Sequence, residues 1–448
     1  MNRQQFNETL IAEATKRGLT DAEVFMQYSE SANIAVYEGA IDRYETSDTG
    51  GVSFRALVDG KMGYAYTEKL DASSITFLID QAIENAHSLD EDDGTTLFEG
   101  SDTYRDGDFY SEELASVTAD QWIDTLLEIE RRLKMYDERI QTVNHCTTSY
   151  FNGSTAIQNT KGLNVHERAN GQFLVAGVIA TDGKEKKSGF HVEIVSSLDS
   201  FDMDAFVEKT AEEALSQLGS TPIPSAHYPV VLRNDAATSL LGVFLNAFSA
   251  ESVQKGTSRL KGKIGEVIAS KAVTIVDNPV DGHLFARTTF DGEGVATKKR
   301  AIVKEGTLET FLHNRKTAKK DGVETTGHAY KPSYKGTISI APHHFVLEPT
   351  STTVEELIAP IEKGVYITDL AGLHSGANAI SGDFSVAANG FVIENGKIGQ
   401  PITQMTIAGN FFDYLQQIEG VANDLHPTGI SVTSPTIRLE KLAVTVEQ

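Results

Sequence analysis

The spacing of apolar residues predicts that the start of the chain folds as a helix, a β-meander and a second helix. In Phe6–Lys16 the apolar side chains recur three and four positions apart, which is the period of an amphipathic helix. Short runs of strand-forming residues follow, and Asp59-Gly60 lies between two of them as a hairpin turn should. A helical pattern ends the unit near residue 90, with Asp71 or Ser73 as its candidate N-cap.

The same order of patterns recurs further along the chain. Trp122–Tyr136 has helical spacing, and strand-like runs follow in which Asn152-Gly153 and Asp182-Gly183 mark turns. A helical pattern again closes the unit, and its residues align by eye with those of the first closing helix. The sequence therefore predicts a duplicated helix–β-meander–helix unit, with copies at about 1–90 and 115–220.

Changes in composition divide the chain into two predicted domains. The two units make up an N-terminal α+β domain over residues 1–220, and the link between them, Glu91–Arg105, is acidic and rich in turn residues. The prolines of Ser220–Val230 break helical structure and mark a domain boundary. We therefore expect a second domain over residues 226–448.

The second domain is predicted to be rich in β-strand. One apolar helix is clear at Asp235–Ser252, and another is predicted at Thr353–Gly364 with Gly364 as its cap. The remainder is strand-like and rich in glycine, with hairpin turns at Glu305-Gly306 and Asn395-Gly396. The expected fold class is α+β, in which the duplicated N-terminal domain precedes a β-rich C-terminal domain with a large antiparallel sheet.

Composition and charge limit the classes of function. The chain has 448 residues, of which 40% are hydrophobic. No apolar run reaches the ~18 residues that a membrane span requires, and the N-terminal pattern lacks the apolar centre of a signal peptide. The single cysteine, Cys146, excludes an internal disulfide, so a cytoplasmic location without a membrane partner is expected. A net charge of −24 repels phosphate backbones and predicts no nucleic-acid partner.

No local motif of a zinc hydrolase is present. Such enzymes usually draw two histidines from one helix, about a turn apart, with a glutamate nearby. No two of the 12 histidines are four or five positions apart, and no second histidine follows closely on His166-Glu167. His343 and His344 are adjacent and would face opposite sides of a strand. A metal site whose ligands come from distant segments stays open. Cys146 is interpreted as a half-buried strand residue rather than a catalytic thiol.

The run GLHSGANAISGDFS, Gly372–Ser385, contains the residue types of a hydrolase. His374, Ser381 and Asp383 would supply a base, a nucleophile and an orienting carboxylate if they came together. Serine and aspartate beside glycine are also what tight turns use, because their short side chains bond to the turn backbone. The residues leave both interpretations open, and the turn is the simpler one.

Four long segments of the C-terminal half occur in an order and spacing typical of one family. They are Ser252–Glu266, Phe290–Lys320, Gly372–Ile398 and Thr406–Leu425. With these segments the chain resembles the TldD/PmbA family, whose members are called modulators of DNA gyrase. The resemblance extends over essentially the whole chain and implies a metallopeptidase-like C-terminal domain. The charge of −24 argues against the gyrase label as a guide to function.

The family has two branches that pair as a heterodimer, and the resemblance also implies a branch. The TldD branch resembles a zinc metallopeptidase, with H-E-x-x-x-H on the first helix of its C-terminal domain and a later cysteine ligand. Here Gly242 and Ala247 stand at the histidine positions, Val243 stands at the glutamate position, and no cysteine follows Cys146. These side chains have no lone pair with which to bind zinc and no basic group with which to activate water. The chain therefore resembles the TldE/PmbA branch, which lacks the metal site, and zinc is expected only in a TldD-type partner.

The implied role is a subunit that is non-catalytic by itself. With a TldD-type partner it would enclose the cavity in which unfolded peptides are cleaved or peptide precursors are matured. His374, Asp383 and Arg315 are candidate peptide contacts, with turn hydrogen bonds and a surface salt bridge as simpler alternatives. Without the partner the chain could form a homodimer. Two other functions stay open, namely an autonomous hydrolase with a dispersed site and a peptide-binding or export factor without proteolysis.

Overall fold

The structure, a computed structural model, describes residues 1–90, 96–281, 287–426 and 431–446. Its mixture of helices and long strands confirms the predicted α+β class. The helices are Arg3–Lys16 (α1), Ala72–His87 (α2), Glu112–Ala115 (α3), Ala119–Tyr136 (α4), Met203–Leu215 (α5), Asn234–Val243 (α6), Ala250–Gln254 (α7), Arg315–Asp321 (α8), Val354–Ile358 (α9), Leu373–Gly376 (α10) and Phe411–Gln417 (α11). A 3-10 turn spans Leu245–Phe248.

The strands are long in the N-terminal half and shorter in the C-terminal half. The N-terminal strands are Ala22–Tyr37 (β1), Ala40–Val58 (β2), Lys61–Thr67 (β3), Asp108–Phe109 (β4), Ile140–Asn159 (β5), Asn164–Thr181 (β6) and Lys186–Val195 (β7). The C-terminal strands are Ala226–Leu232 (β8), Ile275–Asp277 (β9), Arg300–Lys304 (β10), Thr307–Leu308 (β11), Ala329–Tyr330 (β12), Ser339–Ile340 (β13), Phe345–Leu347 (β14), Lys363–Ala371 (β15), Asp383–Glu394 (β16), Lys397–Pro401 (β17), Met405–Asn410 (β18), Ile418–Val421 (β19), Val432–Thr433 (β20) and Ile437–Val446 (β21).

Both N-terminal units contribute to one continuous seven-stranded sheet. Its main order is β3-β2-β1-β5-β6, and β7 and the short β4 both pair with β6. β1 and β5 are antiparallel neighbours from Glu23 opposite Asn159 to Ala35 opposite Thr147, and this ladder joins the two units. α1 and α2 pack on the strands of the first unit, and α4 and α5 pack on those of the second. The predicted duplication of a helix, a β-meander and a helix is confirmed.

Most of the predicted hairpin turns are correct. Asp59-Gly60 connects β2 to β3 with φ angles of 49° and 79°, the left-handed pair that a tight hairpin requires. The turns at Asp182-Gly183, Glu305-Gly306 and Asn395-Gly396 also join consecutive strands. The turn at Asn152-Gly153 is wrong, because the pair lies inside β5, with Asn152 opposite Asn170. β5 is hydrogen-bonded to β1 on one side and β6 on the other, and these ladders outweigh the local turn preference.

The C-terminal half contains a second seven-stranded sheet, which closes on itself. Its order is β15-β8-β21-β18-β16-β17, the seventh strand β19 pairs with β21, and β15 also pairs with β16. The predicted antiparallel arrangement holds for these pairings except that of β8 with β15, which is parallel. A smaller sheet has the order β11-β10-β9-β14-β20. One continuous hydrophobic core joins the two sheets, and α6 contributes Leu240 and Leu241 to it.

The single helix predicted at Asp235–Ser252 is wrong in its extent. α6 ends at Val243, the 3-10 turn follows, and α7 begins at Ala250. The reason is a competing backbone pairing: the Leu312 N–H donates to the Phe248 carbonyl at 2.9 Å, and the Ala250 N–H donates to the Leu312 carbonyl at 3.0 Å. These bonds take the place of helical ones and divide the segment.

The predicted cap at Gly364 is also wrong. α9 ends at Ile358, because Pro360 cannot continue a helix, and Gly364 lies inside β15. A Cβ atom at Gly364 would lie 2.8 Å from the Pro229 carbonyl oxygen, so glycine permits close contact between β15 and β8. Of the two candidate N-caps of α2, Asp71 is the cap and Ser73 is not, since the Asp71 Oδ1 accepts a hydrogen bond from the Ser74 N–H at 2.8 Å.

The link between the two N-terminal units is tied to the C-terminal half. Of the predicted link Glu91–Arg105, residues 91–95 lie outside the described ranges, and residues 96–105 have no regular structure. The Tyr104 hydroxyl donates a hydrogen bond to the Gly294 carbonyl at 2.7 Å. Among the described helices, none combines the length and hydropathy needed to cross a bilayer.

Candidate functional site

The three positions that the resemblance aligns with an H-E-x-x-x-H motif lie where α6 ends. Gly242 and Val243 are its half-buried last residues, and Ala247 is buried in the 3-10 turn. None of these side chains can ligate a metal or accept a proton from water. The intervening Phe244 is fully buried, and its ring stacks on Phe411 with centroids 4.3 Å apart. The region therefore has the local structure of a packing element.

The segment Gly372–Ser385 connects β15 to β16 and is stabilised by turn hydrogen bonds. The Ser381 hydroxyl accepts from the Asp383 N–H at 3.3 Å, and the Asp383 carboxylate accepts from the Asn410 amide at 2.8 Å. The Asn410 and Ser381 hydrogen bonds lower the pKa of Asp383. His374 is exposed, and within the described residues it makes no hydrogen bond to Ser381 or Asp383. The three residues are thus not assembled as a catalytic triad, and their contact with a peptide stays a prediction.

Arg315 holds the link segment against the C-terminal half. Its guanidinium donates to the Thr96 carbonyl and, at 3.0 Å, to the Thr96 hydroxyl. It also lies over the Phe98 ring, 5.3 Å from the centroid. Its backbone N–H donates to Glu293 at 2.8 Å. Arg315 and Glu293 line a cavity of about 270 Å³. Contact between the Arg315 guanidinium and a peptide carboxylate stays a prediction.

A second cavity, of about 320 Å³, lies where the N-terminal sheet meets the C-terminal half. We call it the junction cavity. Its lining residues are Arg55, Met62, Tyr64, Glu293, Asn314, Lys316, Lys331, Thr337 and Ile338. The first three come from β2 and β3, whereas the others come from the C-terminal half. The cavity therefore exists only when the two halves are docked.

Buried charges surround the junction cavity. The Arg55 guanidinium pairs with the Glu23 carboxylate at 2.7 Å, and the two residues are 8% and 3% exposed. Burial acts against the charged guanidinium, but Glu23 and Glu293 outweigh it and raise the pKa of Arg55. Burial raises the pKa of Glu293 and also that of its neighbour Asp291, which the Glu293 charge raises further. The cavity wall thus contains one carboxyl group, Glu293, whose pKa is raised, and Asp291 precedes it in the chain.

Lys331 presents an amine whose proton is weakly held. Its Nζ donates to the Tyr64 hydroxyl at 3.2 Å and to the Gly336 carbonyl at 3.1 Å. It also lies 4.9 Å and 4.7 Å from the ring centroids of Phe25 and Tyr64. Burial, reinforced by the Arg55 charge, lowers the pKa of Lys331 from 10.5 to about 7. The amine is therefore partly neutral near neutral pH.

A separate group of residues in the C-terminal half has the composition of a metal site. Asp277, His328 and His343 each offer one ligand atom, and these atoms all lie within 4.8 Å of one another. Nε2 of His328 lies 3.0 Å from Oδ2 of Asp277, and the two imidazole rings stack with centroids 5.1 Å apart. Asp277 and His328 are buried, and His343 is half-buried. Within the described ranges these residues could hold a metal ion.

Three domain models of one family match the chain in order. The PmbA/TldA metallopeptidase domain 1 matches residues 22–86, the central domain matches residues 112–218, and the C-terminal domain matches residues 225–446. The chain belongs to the PmbA/TldD family. The resemblance seen in the four C-terminal segments is thereby confirmed.

Individual relatives of this PmbA/TldD chain match it over nearly its whole length. It is 28% identical to the metalloprotease PmbA homolog of Haemophilus influenzae, over 96% of this chain and 93% of the relative. A solved structure described as a modulator of a DNA gyrase, from Thermotoga maritima, is 34% identical with a TM-score of 0.90, over 99% of this chain and 100% of that chain. The structure of TldE from Thermococcus kodakarensis is 24% identical with a TM-score of 0.90, over 98% and 100%, and this match shows the shared fold.

Sequence reasoning missed both groups of buried polar residues in this PmbA/TldD chain. Glu23 and Arg55 had a detectable signal, since each is a charge inside an apolar strand run, which is rare unless the charge is paired. Asp277 and His328 are 51 positions apart, so no spacing rule joins them. His343 and His344 were expected to face opposite sides of a strand, but they lie in a bend just before β14. There His343 contacts the Gly327 carbonyl, and His344 contacts the Thr433 hydroxyl.

Replacing Lys331 with methionine is expected to change how stability depends on pH. Below pH 7 the wild-type ammonium is charged in both folded and unfolded chains, and its burial costs stability. Between the folded pKa of about 7 and the ordinary 10.5, the unfolded chain binds more protons, so wild-type stability rises with pH relative to Lys331→Met. The rise is at most about 1.4 kcal/mol per pH unit.

Urea denaturation of both proteins between pH 7 and pH 9.5 measures this difference. Lys335→Met is the matched control, because the exposed Lys335 has a raised pKa and stays charged over this interval. The quantity compared is the unfolding free energy of the wild type minus that of Lys331→Met. If this difference does not increase between pH 7 and pH 9.5, the burial of the Lys331 amine is contradicted.

Proposed function

We propose that this chain is the TldE/PmbA-type subunit of a TldD/TldE-type zinc metallopeptidase complex, and that it is non-catalytic by itself. In this proposal a TldD-type partner provides the zinc and the H-E-x-x-x-H motif. The complex hydrolyses unfolded peptides or matures peptide precursors, and this subunit completes the enclosure around them.

The observation that carries the proposal is the chemistry of the α6 terminus. Gly242, Val243 and Ala247 occupy the aligned motif positions and contain no ligand atom or base, and the sequence has no cysteine after Cys146. The neighbouring Phe244 is fully buried against the core. A metallopeptidase fold without ligands at its motif supports a role in assembly and substrate enclosure.

The edge of the N-terminal sheet supports a role in holding peptide. β3 is the outer strand of that sheet, and its residues Met62 and Tyr64 line the junction cavity. An extended peptide can add to such an edge through main-chain hydrogen bonds with little sequence preference. The Lys331 amine and the Glu293 carboxyl, which both line the junction cavity, would then contact the peptide.

Reconstitution with a TldD-type subunit tests the proposal. The chain, the partner and their mixture are each incubated with an unstructured peptide, and cleavage is followed by mass spectrometry. We expect the mixture to cleave and this chain alone to leave the peptide intact. Cleavage by this chain alone would instead favour an autonomous hydrolase. Peptide binding by a stable mixture without cleavage would favour a binding or export factor.

A further inference from the structure

The two histidines of the group Asp277, His328 and His343 are each oriented by a second contact. Nδ1 of His328 lies 2.8 Å from the Thr326 hydroxyl, and Nε2 of His343 lies 2.6 Å from the Gly327 carbonyl. Because a carbonyl only accepts hydrogen bonds, Nε2 of His343 carries a proton, and Nδ1 of the neutral ring keeps its lone pair. Histidines that bind metals commonly have this arrangement, in which the non-ligating nitrogen donates to the protein.

The Asp277 carboxylate is divided into a fixed oxygen and an available one. Its Oδ1 accepts from the backbone N–H groups of His343 and His344, both at 2.9 Å. Its Oδ2 contacts Nε2 of His328. Arg300 lies opposite Asp277 in the β9–β10 ladder, but within the described residues it makes no hydrogen bond to this carboxylate. Oδ2 therefore has only the His328 ring as its hydrogen-bond partner among the described residues, and it is the oxygen that a cation would take.

The spacing of these groups suits a small cation. The 3.0 Å between Oδ2 and Nε2 is close to the ~3.3 Å that separates two ligands of a tetrahedral zinc ion. The His343 ligand atom lies within 4.8 Å of both of these atoms.

We propose that Asp277, His328 and His343 bind one divalent transition-metal ion of the zinc class. The ion replaces the proton shared by Asp277 and His328, and three protein ligands leave one coordination position for water. Asp277 is 0% exposed and His328 is 1% exposed, so a peptide does not reach the ion. Its role is to cross-link β9 to the segments that precede β12 and β14. This site is separate from the α6 positions and does not depend on the proposed function.

Zinc titration of the full chain, freed of metal with a chelator, tests the proposal. Isothermal calorimetry and elemental analysis are expected to show one ion per wild-type chain. His343→Gln removes the least buried ligand and is expected to weaken zinc binding by at least about 100-fold. His344→Gln is the matched control, because His344 is the next residue in the chain and is also buried. Its side chain contacts the Thr433 hydroxyl and is not one of the proposed ligands.

Several outcomes would overturn the proposal. Absence of zinc binding by the wild-type chain would show a hydrogen-bonded network without metal, and equal weakening by His343→Gln and His344→Gln would show a general structural effect. If His343→Gln does not fold, the visible absorption spectrum of cobalt(II) bound to the wild-type chain is the deciding measurement. Strong bands, typical of a four-coordinate site, would support the proposal, and weak bands, typical of a six-coordinate ion, would contradict it. None of these readouts requires peptide hydrolysis, so they are independent of the subunit role.

Discussion

Arg55→Met is expected to lower the free energy of unfolding by about 3–5 kcal/mol, because it leaves Glu23 ionised and unpaired inside the protein. Glu23 is 3% exposed, and besides Arg55 it is contacted by the Asn159 amide at 3.2 Å. That one hydrogen bond does not replace the guanidinium charge. Since Arg55 also acts on the buried Glu293, the loss should weaken the docking of the two halves at the junction cavity.

Chemical denaturation followed by circular dichroism measures the effect of Arg55→Met. Arg131→Met is the surface control: Arg131 pairs with Glu128 on the exposed face of α4, where removal should cause no resolvable change. The double variant Glu23→Met/Arg55→Met should regain much of the loss, because no unpaired charge remains. Equal stability of Arg55→Met and wild type would contradict a buried ion pair.

Phe244→Ala is expected to lower the free energy of unfolding by about 3–5 kcal/mol through the cavity it leaves. Phe244 is fully buried, and its ring stacks on Phe411 and belongs to the core that joins the two C-terminal sheets. The residue follows Val243, so this effect would show that the segment aligned with the lost metal motif stabilises the fold.

Asn246→Ala is the matched control for Phe244→Ala, because Asn246 is exposed in the 3-10 turn that directly follows Phe244. We expect its stability to lie within about 0.5 kcal/mol of wild type. The measurement is the thermal midpoint together with the free energy from denaturant titration. A Phe244→Ala variant as stable as the control would contradict the interpretation of this segment as core.

Local sequence patterns were sufficient for much of the fold. The hairpin at Asp59-Gly60 and the cap at Asp71 depend on residues that are neighbours in the chain, so the local sequence alone predicts them. Asn152-Gly153 and the helix at Asp235–Ser252 were wrong where a distant strand or backbone group competes for the same hydrogen bonds. Local preference is outweighed there by pairing that the sequence does not display.

The sequence predicted only one feature of the candidate site, namely that the aligned motif positions have no metal-ligand atoms. Gly242, Val243 and Ala247 could be compared with a motif, whereas the junction cavity required the docked fold. Its Arg55 and Lys331 come from separate halves of the chain, and no periodicity relates them. The position of a cavity follows from how sheets pack, and the sequence specifies that packing through many weak contacts rather than through one pattern.

The most direct test of the central claim uses a complex whose TldD-type partner has its motif glutamate replaced by glutamine. That partner keeps its zinc ligands but loses the base that activates water. Cleavage of an unstructured peptide is measured for this complex, for the wild-type complex and for this chain alone. We predict cleavage by the wild-type complex only. Cleavage by the complex with the inactivated partner, or by this chain alone, would contradict the claim that this chain lacks a catalytic centre.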